Sequence, residues 1–448
     1  MYLLNPPAYG HPYDDGEERP PFVLMEPHAY FADRHNATTA TCRITGFNGT
    51  FKVTFCAVRP PLVSYMCFHA TDYKHTDFAV DPRVLATETD GGLVLLRVVF
   101  CDRLSAMNFP HYGEYLVYDA SGPSLEHLPC PTDVLFSDDS VAFVRKGTHD
   151  DGASSHNYVL AAHSGGIGYG DSAELYLYHS DTNTWTTKRL VLKPQQFSDP
   201  DTYHSTCKAI TIGGYGGIVA WVDLWHNIIL CNVLAERPKL HCLELPAPIV
   251  PVDESSQSDP SCVRDIALLD DDLFRFVEMQ FHVAQPGSSS GTSGYWEAKV
   301  WSAKRNSSSV KDWHADYEFR SSDIAELPIL QVDPGKAQPT LSTLHTDMPN
   351  VSLQEDGIVY FLSKVYHCNN DHVAWVLAVD MRNKKIEKVG EFRPTRTVGL
   401  ADGYSATRIS KYLKGLVANW YCWFGKNLSS ERYKAKSEMI TDAVAEIL

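Results

Sequence analysis

Gly213 to Pro248, GGYGGIVAWVDLWHNIILCNVLAERPKLHCLELPAP, carries the densest run of strand and turn signals in the chain. The glycine-rich start reads as a turn, and branched and aromatic residues then follow through Trp221, Val222 and Asp223 as in a β-strand. Leu224 and Trp225 precede a second strand through Cys231. The polar NVLAERPK tract turns the chain into a third, which ends at Leu245 and Pro246. Strand following strand with only short turns between them predicts antiparallel β-structure.

The same grammar recurs elsewhere: an alternating strand, a polar turn, an aromatic or branched residue, and a second strand. It reads ELYLYHSDTNTWTTKRLVL at Glu174 to Leu192, where Leu175 and Leu177 face one way and Tyr176 and Tyr178 the other. Tyr115 to Pro129 has Leu125 where Trp185 stood, and Ile228 to Pro246 has Leu240. Looser copies run from Trp296 to Phe319, around Trp313, and from Val373 to Phe392, around Ile386. The turns recur every roughly 55 to 75 residues, wider than the roughly 50 of kelch repeats, as four-stranded blades with long insertions would.

Each such blade has a sheet face it cannot bury alone, so the repeat predicts an all-β fold, a β-propeller of five or six blades. Thr50 to Val58, Leu62 to His69 and Leu93 to Phe100 alternate in the same way, and a sixth blade could be assembled from the two termini. One propeller over residues 22–410 is expected. A flexible, proline-rich acidic segment (1–21) precedes it. Segment 411–448 follows, where Ile440, Val444 and Ile447 predict an amphipathic C-terminal helix. Ser255 to Ser261 and Gln285 to Gly294 read as polar loops.

Composition narrows the function classes. With 44% hydrophobic and 21% charged residues among 448, the chain is of ordinary globular type. A formal net charge of −16 repels phosphate backbones and anionic lipid heads, so neither nucleic acid nor a membrane is expected as a partner. The longest apolar run, Ile218 to Leu234, is interrupted by Asp223, His226 and Asn232. Eleven cysteines, an odd number without a C-x-x-C pair, fit neither a disulfide framework nor a zinc ribbon. The N-terminus lacks a secretory apolar core. Cytoplasm or nucleus is therefore the expected location.

The candidate motifs read as structure. GSSSG at Gly287 to Gly291 matches a nucleophile elbow in letters, but Ser289 lies in a Ser/Gly tract without strand or helix around it. GGIGYG at Gly165 to Gly170 and GGYGG at Gly213 to Gly217 lack the dinucleotide spacing. His367, Cys368, Asp371 and His372 are metal-type ligands, yet Asn369 to Asp371 between them read as a hairpin turn. The acidic groups Asp138–Asp139, Asp150–Asp151 and Asp270–Asp272 could serve glycoside hydrolysis if brought across a cleft, and otherwise are loop tips. Trp221, Trp225, Trp296, Trp301, Trp313 and Trp375 are expected in blade packing rather than on a sugar-binding surface. Asp223, a carboxylate between two tryptophans, needs a partner, expected in a neighbouring blade's turn. No catalytic residue, cofactor or metal is predicted.

WVDLWHNIILCNVLAERPKLHCLELPAP resembles the signature of the plant family known as domain of unknown function 1618, whose pattern runs close to W-V-D-L-W-x-G-I-L-x-C-D-V-L and closes on L-P-x-P. Trp221, Val222, Asp223, Leu224, Trp225, Cys231, Leu245 and Pro246 carry the match, within a signature region of about 213–360. Asn227 stands where the family often has glycine, and Asn232 where it often has aspartate. Ala29 to Ala40 and Pro60 to His69 are similar to its N-terminal blocks. The resemblance implies an intracellular plant protein with a body similar to F-box-associated and kelch domains. No F-box pattern precedes the first strand here. The expected function is a non-enzymatic protein-interaction scaffold with an unidentified protein partner. The alternatives are a propeller hydrolase acting on a glycoside or ester, and an adaptor that recruits substrates for ubiquitin-dependent turnover.

Overall fold

Strands such as AWVLAVD (Ala374–Asp380) are buried along their whole length. A strand that is apolar on both faces needs a packed neighbour on each side of its sheet, and this requirement organises the molecule. The computed structural model describes residues 4–9, 19–101, 113–129, 136–146, 157–165, 167, 172–191, 204–212, 216–249, 259–269, 272–282, 295–307, 309–324, 327, 330, 340–341, 344–365, 374–392 and 403–413.

The chain begins with β1 (Val23–Met25), β2 (Tyr30–Phe31), β3 (Ala40–Cys42), β4 (Phe51–Cys56) and β5 (Val63–Ala70). Five four-stranded antiparallel sheets follow in sequence order. Blade 2 is β6 (Arg83–Thr87), β7 (Leu93–Val98), β8 (Glu114–Asp119) and β9 (Ser124–Leu128). Blade 3 is β10 (Ala142–Arg145), β11 (Tyr158–His163), β12 (Ser172–His179) and β13 (Thr184–Val191). Blade 4 is β14 (Lys208–Ile212), β15 (Ile218–Asp223), β16 (Asn227–Asn232) and β17 (Leu240–Glu244). Blade 5 is β18 (Arg264–Leu268), β19 (Leu273–His282), β20 (Tyr295–Lys304) and β21 (His314–Arg320). Blade 6 is β22 (His345–Val351), β23 (Ile358–Lys364), β24 (Ala374–Asp380) and β25 (Lys385–Phe392).

β26 (Ser405–Thr407) then returns to pair antiparallel with β1, and β1 pairs parallel with β5. The resulting sheet, β26-β1-β5-β4-β3 with β2 also on β5, is blade 1. Blades 2 to 6 follow the chain without interruption, while blade 1 joins both ends of the described fold. The expectation of five or six blades resolves to six.

The seams close the circle. Phe51, Phe55 and Phe68 of blade 1 pack on Val94, Leu96 and Leu116 of blade 2, and Leu95 and Val117 of blade 2 on Phe143 and Leu160 of blade 3. Within β15, Val219 and Trp221 pack toward blade 3, whereas Ala220 and Val222 pack toward Ile266 and Phe276 of blade 5. The period-two alternation thus hands successive side chains to opposite neighbours. Val277 and Ala298 meet Val359 and Leu377 between blades 5 and 6. Leu362 and Val376 meet Leu24 and Val63 between blades 6 and 1. Six apolar seams, each between consecutive blades, make a β-propeller.

The five sequence repeats are the outer hairpins of blades 2 to 6. In each, the residue after the third strand donates its amide to the residue that opens the second strand or lies just before it: Ala120 to Gly92, Ser180 to Tyr158, Val233 to Gly217, Arg305 to Asp272 and Met381 to Gly357, at 2.8–3.0 Å. Asp119, Asn232 and Asp380 cap their turns by accepting amides from two or three residues ahead. Asn232 does this with its amide oxygen, so the turn needs no carboxylate there.

The first strands of blades 2 to 6, and β26 of blade 1, start at one face of the ring, the upper face. Connections between consecutive blades (71–82, 129–141, 192–207, 245–263, 321–344 and 393–404) join strand ends on that face. So do the longer second-to-third-strand links, 99–113, 164–171, 283–294 and 365–373. The lower face has shorter turns such as 120–123, 180–183 and 381–384, with 146–157 and 305–313 the longer ones. The predicted C-terminal helix and the Gln285 to Gly294 loop lie outside the described residues.

Candidate functional site on the upper face

The signature residues meet where β15 turns into β16. Trp221 is fully buried, and its Nε1 donates 2.8 Å to the Ser140 carbonyl at the upper end of blade 3. Val222, Leu224, Cys231, Leu245 and Pro246 are buried. The Leu245 amide donates 2.9 Å to the His226 carbonyl, tying the outer strand to the turn. Trp225 is half-buried and lies under the Arg264 guanidinium at 4.5 Å.

Asp223 caps this turn. Its carboxylate accepts the amides of Ser205 (2.8 Å) and Trp225 (2.9 Å) and lies 3.1 Å from His226 Nδ1. Burial pushes the carboxyl up, but His226 and the Ser205 amide pull harder and leave it below the ordinary carboxylate range. The expected bond to a neighbouring blade's turn is therefore corrected. All three partners belong to blade 4 or the segment entering it, because a tight turn brings its own amides nearest to the side chain that opens it.

Asn227 leads into a buried polar chain that links blades 3 and 4. His204 Nδ1 and Asn227 Oδ1 are 2.6 Å apart, and the Thr206 hydroxyl stands 2.9 Å from His204 Nε2 and 2.8 Å from His163 Nε2. With the Asn227 amide oxygen facing it, His204 carries its proton on Nδ1. Thr206 then donates to His204 Nε2 and accepts from His163 Nε2. His163 stands edge-on to Trp221 at 4.9 Å. Burial lowers both imidazoles, His163 to about 4, so both are neutral at pH 7.

Arg264 anchors the adjoining seam. Its guanidinium donates to the Leu224 and Trp225 carbonyls at 2.9 and 3.1 Å and forms an ion pair with buried Glu278 at 3.1 Å. Burial works against both charges, and each partner offsets part of that penalty for the other. Nearby, Lys208 donates 2.7 Å to Asp265, one blade further on.

Of the acidic groups considered for hydrolysis, the three described members are engaged. Asp139 accepts from Arg83 at 2.8 Å and Asp138 from Arg97 at 2.7 Å. Asp272 pairs with Arg305 at 3.0 Å. Asp150, Asp151, Asp270 and Asp271 lie outside the described residues. So do Ser289 and the His367–His372 hairpin. Among the described residues, no group of three or more His, Cys, Asp or Glu is placed to hold a metal ion, and no helix is long and apolar enough to cross a membrane.

Sequence reading singled out Trp221 to Trp225 but missed His163 and Arg264, which belong to blades 3 and 5, and His204 and Thr206, which lie in the connection entering blade 4. One signal was present: Asn227 in place of the family's glycine marks the position that faces His204.

The profile of the family "Protein of unknown function (DUF1618)" matches residues 221–360. That span begins at Trp221 in β15 and ends in β23, covering the outer part of blade 4, blade 5 and the start of blade 6. The Ala29 to Ala40 and Pro60 to His69 blocks fall outside it. No curated protein matches the chain. Among solved structures, the β-propeller domain of Cps50 (Swd1) from Myceliophteria thermophila is 10% identical, with a TM-score of 0.29 over 71% of this chain and 90% of that one. The WD40 domain of SCAP from fission yeast is 9% identical, with a TM-score of 0.32 over 86% and 91%. Fructofuranosidase from Schwanniomyces occidentalis is 10% identical, with a TM-score of 0.18 over 88% and 80%. At these scores none of the likenesses carries an argument about activity.

Proposed function

We propose that this propeller is a non-enzymatic interaction scaffold whose upper face binds another protein. The observation that carries this reading is the asymmetry of the ring: the connections between blades and the longest link within one, 99–113, join strand ends on the upper face. Variable connections on a rigid frame are the usual material of a recognition surface. The ion pairs of Asp138, Asp139, Asp265 and Glu278 with Arg97, Arg83, Lys208 and Arg264 support the same reading, since carboxylates committed to basic partners are poor acids and bases. The eight described cysteines are free thiols, which favours a reducing compartment, cytoplasm or nucleus.

The test is affinity purification of the tagged chain from its native tissue, read by mass spectrometry against two loop-replacement variants. One replaces 283–294 on the upper face with a short Gly/Ser turn, and the other does the same to 147–156 on the lower face. A partner lost with the first replacement and kept with the second supports the proposal. Retention by both, or loss by both, would sink the assignment to the upper face.

A further inference from the structure

Blade 1 holds a pair of thiols unlike the others. β4 and β5 pair Cys56 with Tyr65 and Thr54 with Cys67, so Cys56, Tyr65 and Cys67 stand on one face of the sheet, the cysteines as diagonal neighbours. The two thiols lie in one buried cluster with Tyr30 and Tyr65. Arg34 Nη1 donates 2.7 Å to the Tyr65 hydroxyl, and the guanidinium stands 5.6 Å from the Tyr65 ring centre. Tyr30 stands edge-on to Tyr65 at 5.4 Å and holds the Glu26 carboxylate at 2.8 Å.

This face packs on blade 6 at Val63, at one end of β5. Tyr30, Cys56, Tyr65 and Cys67 form their own cluster, and Leu4, Tyr9 and Ala32 pack on it. The segment 4–9 is pinned there by Arg34 Nη2 on the Pro7 carbonyl (2.7 Å) and by the Tyr65 hydroxyl on the Tyr9 carbonyl (2.6 Å). Both cysteines are 1% exposed beneath it. Among the described residues, this short peripheral segment covers the pair and is held by two anchor points.

We propose that Cys56 is a hydroperoxide-reactive thiol and Cys67 its resolving partner, forming an oxidant-modified site under the 4–9 flap. The Cys56 thiolate attacks one peroxide oxygen, the O–O bond breaks, and the leaving hydroxide takes a proton to become water. Cys56 is left as a sulfenic acid. The Cys67 sulfur then attacks Cys56, the S–S bond forms, and the sulfenic oxygen leaves as a second water with the Cys67 proton. Two thiols give up two electrons and the peroxide takes them; a dithiol reductant restores the pair by exchange. Closing the bond draws the thiols from contact to bonding distance, a movement available to Cys56 at the end of its strand.

The electrostatics point the same way. Cys67 and the positive charge of Arg34 hold the Cys56 thiol below its ordinary value, while Cys56 and burial push Cys67 up. Burial is the largest influence on buried Cys231 and half-buried Cys242, which are both pushed up to about 12.

The test exposes the reduced full chain to hydrogen peroxide, quenches it with N-ethylmaleimide, and follows each cysteine by peptide mass spectrometry. A Cys56–Cys67 bridge should form on the order of tenfold faster than Cys231 or Cys242 is oxidised. In Cys67→Ser, dimedone should trap Cys56 as its sulfenic acid. The proposal is overturned if wild-type Cys56 reacts no faster than Cys231 and Cys242, or if no Cys56–Cys67 bridge forms. Both outcomes are read on the unsubstituted chain, so variant misfolding cannot obscure them.

Discussion

A single amide couples two blades. Asn227 fixes the tautomer of His204, which orders Thr206 and through it His163 on the next blade. Asn227→Gly, which installs the residue the family often has, removes an acceptor and leaves a buried imidazole N–H unpaired. It should lower stability by roughly 1–3 kcal/mol in urea unfolding. The same histidines set an acid limit. His163 titrates at about 4 in the folded chain against roughly 6.5 unfolded, so between these values the unfolded state binds more protons. Stability is then lost as pH falls through that window, by roughly 3 kcal/mol for His163, with His204 acting in the same direction. Thermal melts at pH 7 and pH 5 should show the drop, and His163→Phe should make the pH dependence shallower.

At the scale of the element, the outer hairpin is the recurring device, and its signature was legible. Alternation plus a polar turn located all five hairpins of blades 2 to 6, because a four-residue turn and a period of two are local properties. What the repeat did not reveal is the tie between each outer hairpin and the start of its second strand. Gly217 shows why that tie is demanding. Its φ is +71°, and a Cβ there would lie 2.7 Å from Leu234 Cγ and 2.9 Å from Asn232 Oδ1. Gly217→Ala should cost about 2 kcal/mol in chemical denaturation, through the left-handed backbone and the contact with the turn it supports. Equivalent turns use Gly357 at φ +81° but also Asp272 at φ +59°, so the requirement is conformational.

At the scale of the molecule, closure rests on blade 1, where β26 pairs with β1 and the chain then packs under blades 1 and 2. Ile409 is fully buried in that seam although it lies more than 280 residues from its blade 2 neighbours Leu116 and Tyr118. Ile409→Ala should therefore cost roughly 2–5 kcal/mol in urea unfolding, a core penalty from a residue near the end of the described chain. Amide exchange should rise in β1 and β6 before it rises in blade 4. Unchanged stability would mean that the ring does not depend on this closure.

By itself the sequence determined the all-β class, the five outer hairpins, the Trp221 to Pro246 signature and the formal net charge. Alternation, turn chemistry and net charge are properties of neighbouring residues or simple sums. Only the tertiary structure decided the number of blades, the pairing of β26 with β1, the partners of Asp223, and the meeting of His163, His204 and Asn227. Cys56 and Cys67 came together the same way. Each of these depends on which strands stand side by side, and that is settled by burying both faces of every sheet at once, a condition no local pattern contains.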